Sequence, residues 1–158
     1  MPTSIQNLYG NKVRIRVCGI CVVNDQLLLI NHHGLRAKDF WSPPGGGIEL
    51  GETMQGGLER EFLEETNLSV RCKDFLFIAE FIELPIHAVE LFFSVEYQGG
   101  DLKTGHDPEM NADAQIIKES RFRQWSDIAK MDKNELHGIF KYVPEPAKIL
   151  DLRGYFKL

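Results

Sequence analysis

The stretch from Pro43 to Leu68 reads PPGGGIELGETMQGGLEREFLEETNL. Within it, Thr53 to Thr66 predicts a helix. At about 100° per residue, Glu61, Glu64 and Glu65 share an arc of roughly 100°, and Leu58 and Phe62 lie on the neighbouring stripe. The carboxylates then stand where the helix meets the core, at the lip of a cleft. Acidic helix faces are usually solvated and braced by Lys or Arg four residues on. Here Glu65 follows Glu61 at that spacing, Leu68 follows Glu64 and Leu63 follows Glu59, and Arg60 is the only base in the segment. Each repulsion costs roughly a few tenths of a kcal/mol in water and more beside a low-dielectric core. A divalent cation would remove that cost, and hard oxygen ligands suit Mg²⁺, Mn²⁺ or Ca²⁺.

The glycines point the same way. Gly45, Gly46 and Gly47 let main chain approach a ligand closely. Gly56 and Gly57 lie inside the helix, where each costs about 1 kcal/mol relative to Ala. Gly57 falls on the carboxylate face, so it leaves room either for a metal-bound group or for close packing of helix on sheet.

Outward from this segment the chain reads as alternating strands. Lys12 to Val23 has strand period, with Val13, Ile15 and Val17 set against Arg14 and Arg16 and one face more exposed. Asn24-Asp25 signals a turn into an apolar strand, Gln26 to Ile30. Asn31 to Asp39 is a polar loop, and Phe40-Trp41 a short strand-like step. Beyond the helix, Val70 to Phe81 and Ala88 to Tyr97 are strands, Gln98 to Ala114 a long loop of the kind that is often functional, and Gln115 to Trp125 a short strand. Ser126 is a plausible N-cap for a helix through Met131. Lys133 to Tyr142 looks helical. This is one α/β (α+β) sandwich over residues 1–158, with a core of about 12–142 and a tail, 143–158, that reads as a docking helix or a dimer arm.

Composition narrows the function. Eighteen basic against twenty-three acidic side chains leave a net charge of -5, which disfavours a duplex nucleic-acid surface. The longest apolar runs are too short to span a bilayer, and MPTSIQNLYG does not read as a signal peptide. Three cysteines cannot all pair within one chain, which suits a soluble protein of a reducing, cytoplasmic compartment. Cys18 and Cys21 form C-x-x-C, but three apart on a strand they face opposite ways, poorly placed for zinc or thiol chemistry. His32-His33 would likewise diverge on a strand, and only a loop would bring them together.

The segment resembles the signature of the Nudix hydrolase family, in which Gly, five residues, Glu, seven residues, Arg-Glu, an apolar residue, any residue, Glu-Glu, any residue, Gly and an aliphatic residue follow in order. Gly46, Glu52, Arg60-Glu61, Phe62, Glu64-Glu65 and Leu68 match it. Asn67 stands where the family has a helix-ending Gly, and Asn is the next-best residue for that left-handed position. The resemblance implies an α/β/α sandwich with a mixed sheet. It also implies a hydrolase that uses Mg²⁺ or Mn²⁺ to cleave nucleoside diphosphates linked to another moiety. Glu61, Glu64, Glu65 and the Gly45 carbonyl would hold metal, with Arg60 and Glu52 positioning the carboxylates. The family's general base varies, and Glu109, Asp113 and Glu119 are candidates.

Specificity lies outside this segment. Members similar to ADP-ribose pyrophosphatases often carry a Pro about sixteen residues beyond it, where Pro85 stands here; a turn between strands would also place Pro there. Arg36 and Lys38 are candidates for a terminal phosphate, Gly46 for close approach to substrate. Phe81, Phe40, Phe122 and Trp125 are candidates to stack on a base. The favoured substrate is ADP-ribose or a related sugar nucleotide. A nucleoside triphosphate pyrophosphohydrolase and a non-catalytic nucleotide sensor are the alternatives. Family members often form homodimers.

Overall fold

The computed structural model describes residues 7–32, 39–105 and 117–158. A long strand β1 (Lys12–Val23) turns into β2 (Gln26–His32), with Asn24 and Asp25 both at positive φ as the turn signal required. Short strands β3 (Phe40–Ser42) and β4 (Gly45–Gly47) precede helix α1 (Met54–Thr66). A hairpin of β5 (Ser69–Glu83) and β6 (Ile86–Gly99) follows, then β7 (Ile117–Gln124), helix α2 (Trp125–Lys130), three 3-10 turns and β8 (Gly154–Lys157).

The sheet runs β3-β2-β1-β6-β5-β8, with β4 paired to β1 and β7 to β2. β1 and β6 are parallel, as are β5 and β8, and the other pairs are antiparallel. The sheet is mixed, as expected. Alternation splits its side chains between two apolar layers. Val17, Cys21, Leu28, Val70 and Val95 pack under Leu58 and Phe62 of α1. On the other face Cys18, Ile20, Leu29, Phe77 and Phe92 meet Ile128 of α2 and Ile139 and Ile149 of the 3-10 turns. The result is the expected α/β/α sandwich, and Cys18 and Cys21 sit in opposite layers with all three cysteines free.

Four local expectations change. Residues 133–142 form 3-10 turns at Lys133–Glu135 and Gly138–Tyr142 in place of one helix. The Asp132 and His137 side chains accept the Asn134 and Ile139 N–H groups and start a new turn each time. Helix α2 begins one residue before Ser126, after Gln124, so Ser126 lies inside it and caps nothing. On β1 the apolar Val13 and Ile15 are the exposed side chains, because the Tyr9 ring covers Arg14 at 3.9 Å and Glu90 holds Arg16. The C-terminal segment, expected as a helix or an extended arm, packs on its own chain as a 3-10 turn and an edge strand. Ile149 is fully buried, β8 pairs with β5, and the Leu158 N–H donates to the Glu80 carbonyl at 2.8 Å. Among the described residues no helix is long and apolar enough to cross a membrane.

Candidate active site

Helix α1 forms where the sequence places it because both ends are capped. The Thr53 hydroxyl accepts the Gly56 N–H at 3.0 Å, and Asn67 takes the left-handed conformation, φ 64°, with its N–H on the Leu63 carbonyl at 3.0 Å. Leu58 and Phe62 are fully buried. That anchors the helix and turns Glu61, Glu64 and Glu65 along its edge toward β4.

Arg60 gathers most of this acid. Its Nε donates to Glu52 Oε2 at 2.7 Å and its Nη2 to Glu52 Oε1 at 2.9 Å, a bidentate pair. Its Nη1 lies 3.1 Å from both Glu61 Oε1 and Glu64 Oε2, and Nη2 also meets the Gly47 carbonyl at 3.2 Å. The Arg60–Glu64 contact is an i,i+4 pair, so the bracing that looked absent is supplied by the segment's single base. Glu65 turns the other way and accepts the Gly45 N–H at 2.9 Å.

Two glycines are explained by close approach. A Cβ on Gly46 would run into the Glu61 carboxylate. A Cβ on Gly57 would lie 2.8 Å from Glu52 Oε1. The space at Gly57 is therefore taken by the glutamate that clamps Arg60, which neither sequence-based reading of that glycine anticipated.

The electrostatics are uneven. Burial, with Glu64 beside it, pushes the Glu61 carboxyl up to about 7 despite Arg60. The Arg60 hydrogen bonds hold Glu52 down to about 2. Three carboxylates, those of Glu52, Glu61 and Glu64, around one guanidinium leave net negative charge on an edge that solvent reaches. The donor set, carboxylate and main-chain oxygens, suits a hard divalent cation, and Arg60 Nη1 already bridges two of those carboxylates as a cation would. Among the described residues no three acid, His or Cys side chains converge closely enough to hold a metal as they stand.

The loop after β6 closes on the same edge. The Lys103 N–H donates to the Thr66 carbonyl at 2.9 Å and the Gly105 N–H to the Glu65 carbonyl at 2.8 Å. Thr104 Oγ1 accepts the Ser120 N–H at 3.0 Å, which ties β7 and Glu119 to the last turn of α1. Glu119 is paired with Arg121 at 3.0 Å. Glu109, Asp113, Arg36, Lys38 and His33 lie outside the described residues. Phe81 packs with Leu8, Tyr9 and Ile86, in a cluster separate from the one beneath α1. Pro85 sits in the β5–β6 turn, with its carbonyl accepting the Asn11 N–H at 2.8 Å.

Sequence reasoning missed a second charged assembly. Glu90 on β6 is buried with Arg16, His137 and Cys18 around it. The signal was an acid at an inward strand position, between Ala88 and Phe92, both buried.

A sequence profile described as NUDIX domain matches residues 12–144. An ADP-ribose pyrophosphatase from Methanocaldococcus jannaschii is 29% identical over 119 residues, 74% of this chain and 65% of that protein. An NAD-capped RNA hydrolase, NudC, from Pectobacterium atrosepticum is 29% identical over 95 residues, 60% of this chain and 35% of that protein. The chain thus spans just under two thirds of the first relative and about a third of the second. Among solved structures, a MutT protein from Methanosarcina mazei superposes with a TM-score of 0.66 at 19% identity, covering 84% of this chain and 90% of that one. At that identity the likeness is one of fold.

Proposed function

The chain belongs to the NUDIX domain family, and on that footing we propose that it is a divalent-metal-dependent pyrophosphohydrolase. Its substrate is a nucleoside diphosphate linked to another moiety, with ADP-ribose or a related sugar nucleotide favoured. The observation that carries the reading is the acidic edge of α1: Glu52, just before the helix, and Glu61 and Glu64 within it drawn onto the one guanidinium of Arg60, with Glu65 of the same helix accepting the Gly45 N–H of the neighbouring strand. The relative named as an ADP-ribose pyrophosphatase supports the choice of substrate.

Glu61, Glu64, Glu65 and the Gly45 carbonyl would hold Mg²⁺ or Mn²⁺. A bound ion would neutralise the phosphoanhydride, lower the pKa of an attacking water and stabilise the departing phosphate. Arg60, clamped by Glu52 and the Gly47 carbonyl, keeps Glu61 and Glu64 on the cleft side of the helix. Gly46, with no side chain, leaves the Glu61 carboxylate its place against β4. Glu119, on the strand tied to the last turn of α1, is the described candidate for the base that takes the water's proton.

The test is release of nucleoside monophosphate from a panel of ADP-ribose, other sugar nucleotides, dinucleoside polyphosphates and nucleoside triphosphates, with Mg²⁺ and then with EDTA. Turnover of ADP-ribose that EDTA abolishes is expected. Turnover of triphosphates alone would move the substrate to that class. Tight binding of one compound with no turnover of any would make the protein a sensor.

A further inference from the structure

Glu90 lies on β6 between two buried neighbours on its own face, Ala88 and Phe92, where an unpaired carboxylate would be strongly disfavoured. It is held by three donors. Arg16 Nη1 donates to Oε2 at 2.5 Å and Cys18 Sγ to the same oxygen at 3.5 Å. His137 Nε2 meets Oε1 at 2.7 Å. The Ile139 N–H donates to His137 Nδ1 at 3.2 Å, so the ring proton sits on Nε2 and is given to Glu90. The His137 main-chain N–H donates in turn to the Trp41 carbonyl at 2.9 Å. One carboxylate thereby joins β1, β6 and the segment after α2, and that segment is pinned to β3.

A purely stabilising role would be met by the Arg16–Glu90 pair. The guanidinium reaches further. Its Nη2 donates to the Gly45 carbonyl at 3.4 Å, and its Nε is buried without a partner among the described residues. Gly45 is the residue whose N–H is taken by Glu65, so it is held by the acidic helix through one group and by Arg16 through the other. A carbonyl oxygen has two lone pairs, so the contact with Arg16 leaves that oxygen able to take a second partner.

We propose that Glu90 and His137 are positioning residues of the candidate active site, fixing the Arg16 guanidinium against the Gly45 carbonyl and so setting how that carbonyl faces the carboxylates of α1. The inference rests on the reading of Gly45, Glu61, Glu64 and Glu65 as the oxygen set for a divalent cation. A planar guanidinium spans Glu90 and Gly45 at once, and a lysine ammonium at that position would keep only the Glu90 pair.

The decisive variant is Arg16→Lys, compared with wild type in three measurements: thermal melting, Mn²⁺ affinity by electron paramagnetic resonance without substrate, and kcat and KM for ADP-ribose. Melting within a few degrees of wild type is expected, with Mn²⁺ affinity and kcat lowered about tenfold or more and KM changed far less. Glu90→Gln should show the same losses on a less stable fold, and if it fails to fold, Arg16→Lys decides alone. A folded Arg16→Lys protein with Mn²⁺ affinity and kcat within about twofold of wild type overturns the positioning role and leaves the metal reading standing. A wild-type protein that binds no Mn²⁺ overturns both.

Discussion

On α1, Arg60 faces Glu52, Glu61 and Glu64; on β6, Glu90 faces Arg16, His137 and Cys18. Burial works against the charge in both places, with opposite outcomes. Glu61, sharing one guanidinium with two other acids, is pushed up to about 7. For Glu90 burial is again the largest influence, yet His137 and Arg16 outweigh it and hold the carboxyl down to about 2. The difference is the number of positive or donating groups per carboxylate. An assembly short of them, with 28% of the Glu64 side chain exposed, is left with unbalanced negative charge that solvent reaches, which is what the proposed cation would meet. An assembly supplied with them, at 5% exposure, is complete and serves as a fixed point of the fold.

The two assemblies should fail differently. Glu64→Gln should lower metal-dependent turnover about a thousandfold, several kcal/mol of transition-state stabilisation, while the urea midpoint barely moves. A variant with most of its activity would show that the acidic edge is an ordinary solvated face. Glu90→Leu should do the reverse to the fold. It leaves the Arg16 guanidinium uncompensated, and equilibrium urea unfolding should record a loss of about 3–5 kcal/mol. Unchanged stability would mean that water reaches Arg16 and that the assembly is not closed.

The smallest effect tests the neighbourhood of Glu90. His32 is buried, its Nδ1 is 3.3 Å from the Phe40 carbonyl, and burial, with Arg16 nearby, lowers its pKa from 6.5 to about 4. The folded protein keeps this ring neutral while the unfolded chain protonates it. Stability is therefore full above about pH 6.5 and declines as pH falls toward 4, by no more than about 3 kcal/mol. Unfolding free energies across that range should slope for wild type and flatten for His32→Gln. Equal slopes would assign the decline to other groups.

The sequence carried the α1 edge almost whole, because its determinants are local. Thr53 and Asn67 bound one helix, Glu61, Glu64 and Glu65 share one face by spacing, and the glycines sit beside them. The Glu90 assembly was out of reach because its parts meet only across the sheet. Arg16 lies 74 residues from Glu90 and His137 lies 47 away, and no local pattern marks either as a partner. The end of the chain was misread for the same reason. Pro144 and Pro146 mark an interruption there, and Pro146 in fact opens a 3-10 turn, Pro146–Asp151, but the pairing of β8 with β5 is a distant, parallel contact. The Arg60–Glu64 pair is local but runs from base to acid, the reverse of the Glu-to-base order that marks a braced acidic face.

Arg60 has one further consequence. By bridging Glu61 and Glu64 it acts as an internal counter-ion, so the acidic turn can fold in water with nothing bound. Small zinc domains collapse when their ion is stripped; here chelation should silence the protein and leave it intact. On the proposed metal-dependent reading, the chain folds before any ion arrives, withstands scarcity of the ion, and regains activity when the ion alone is supplied.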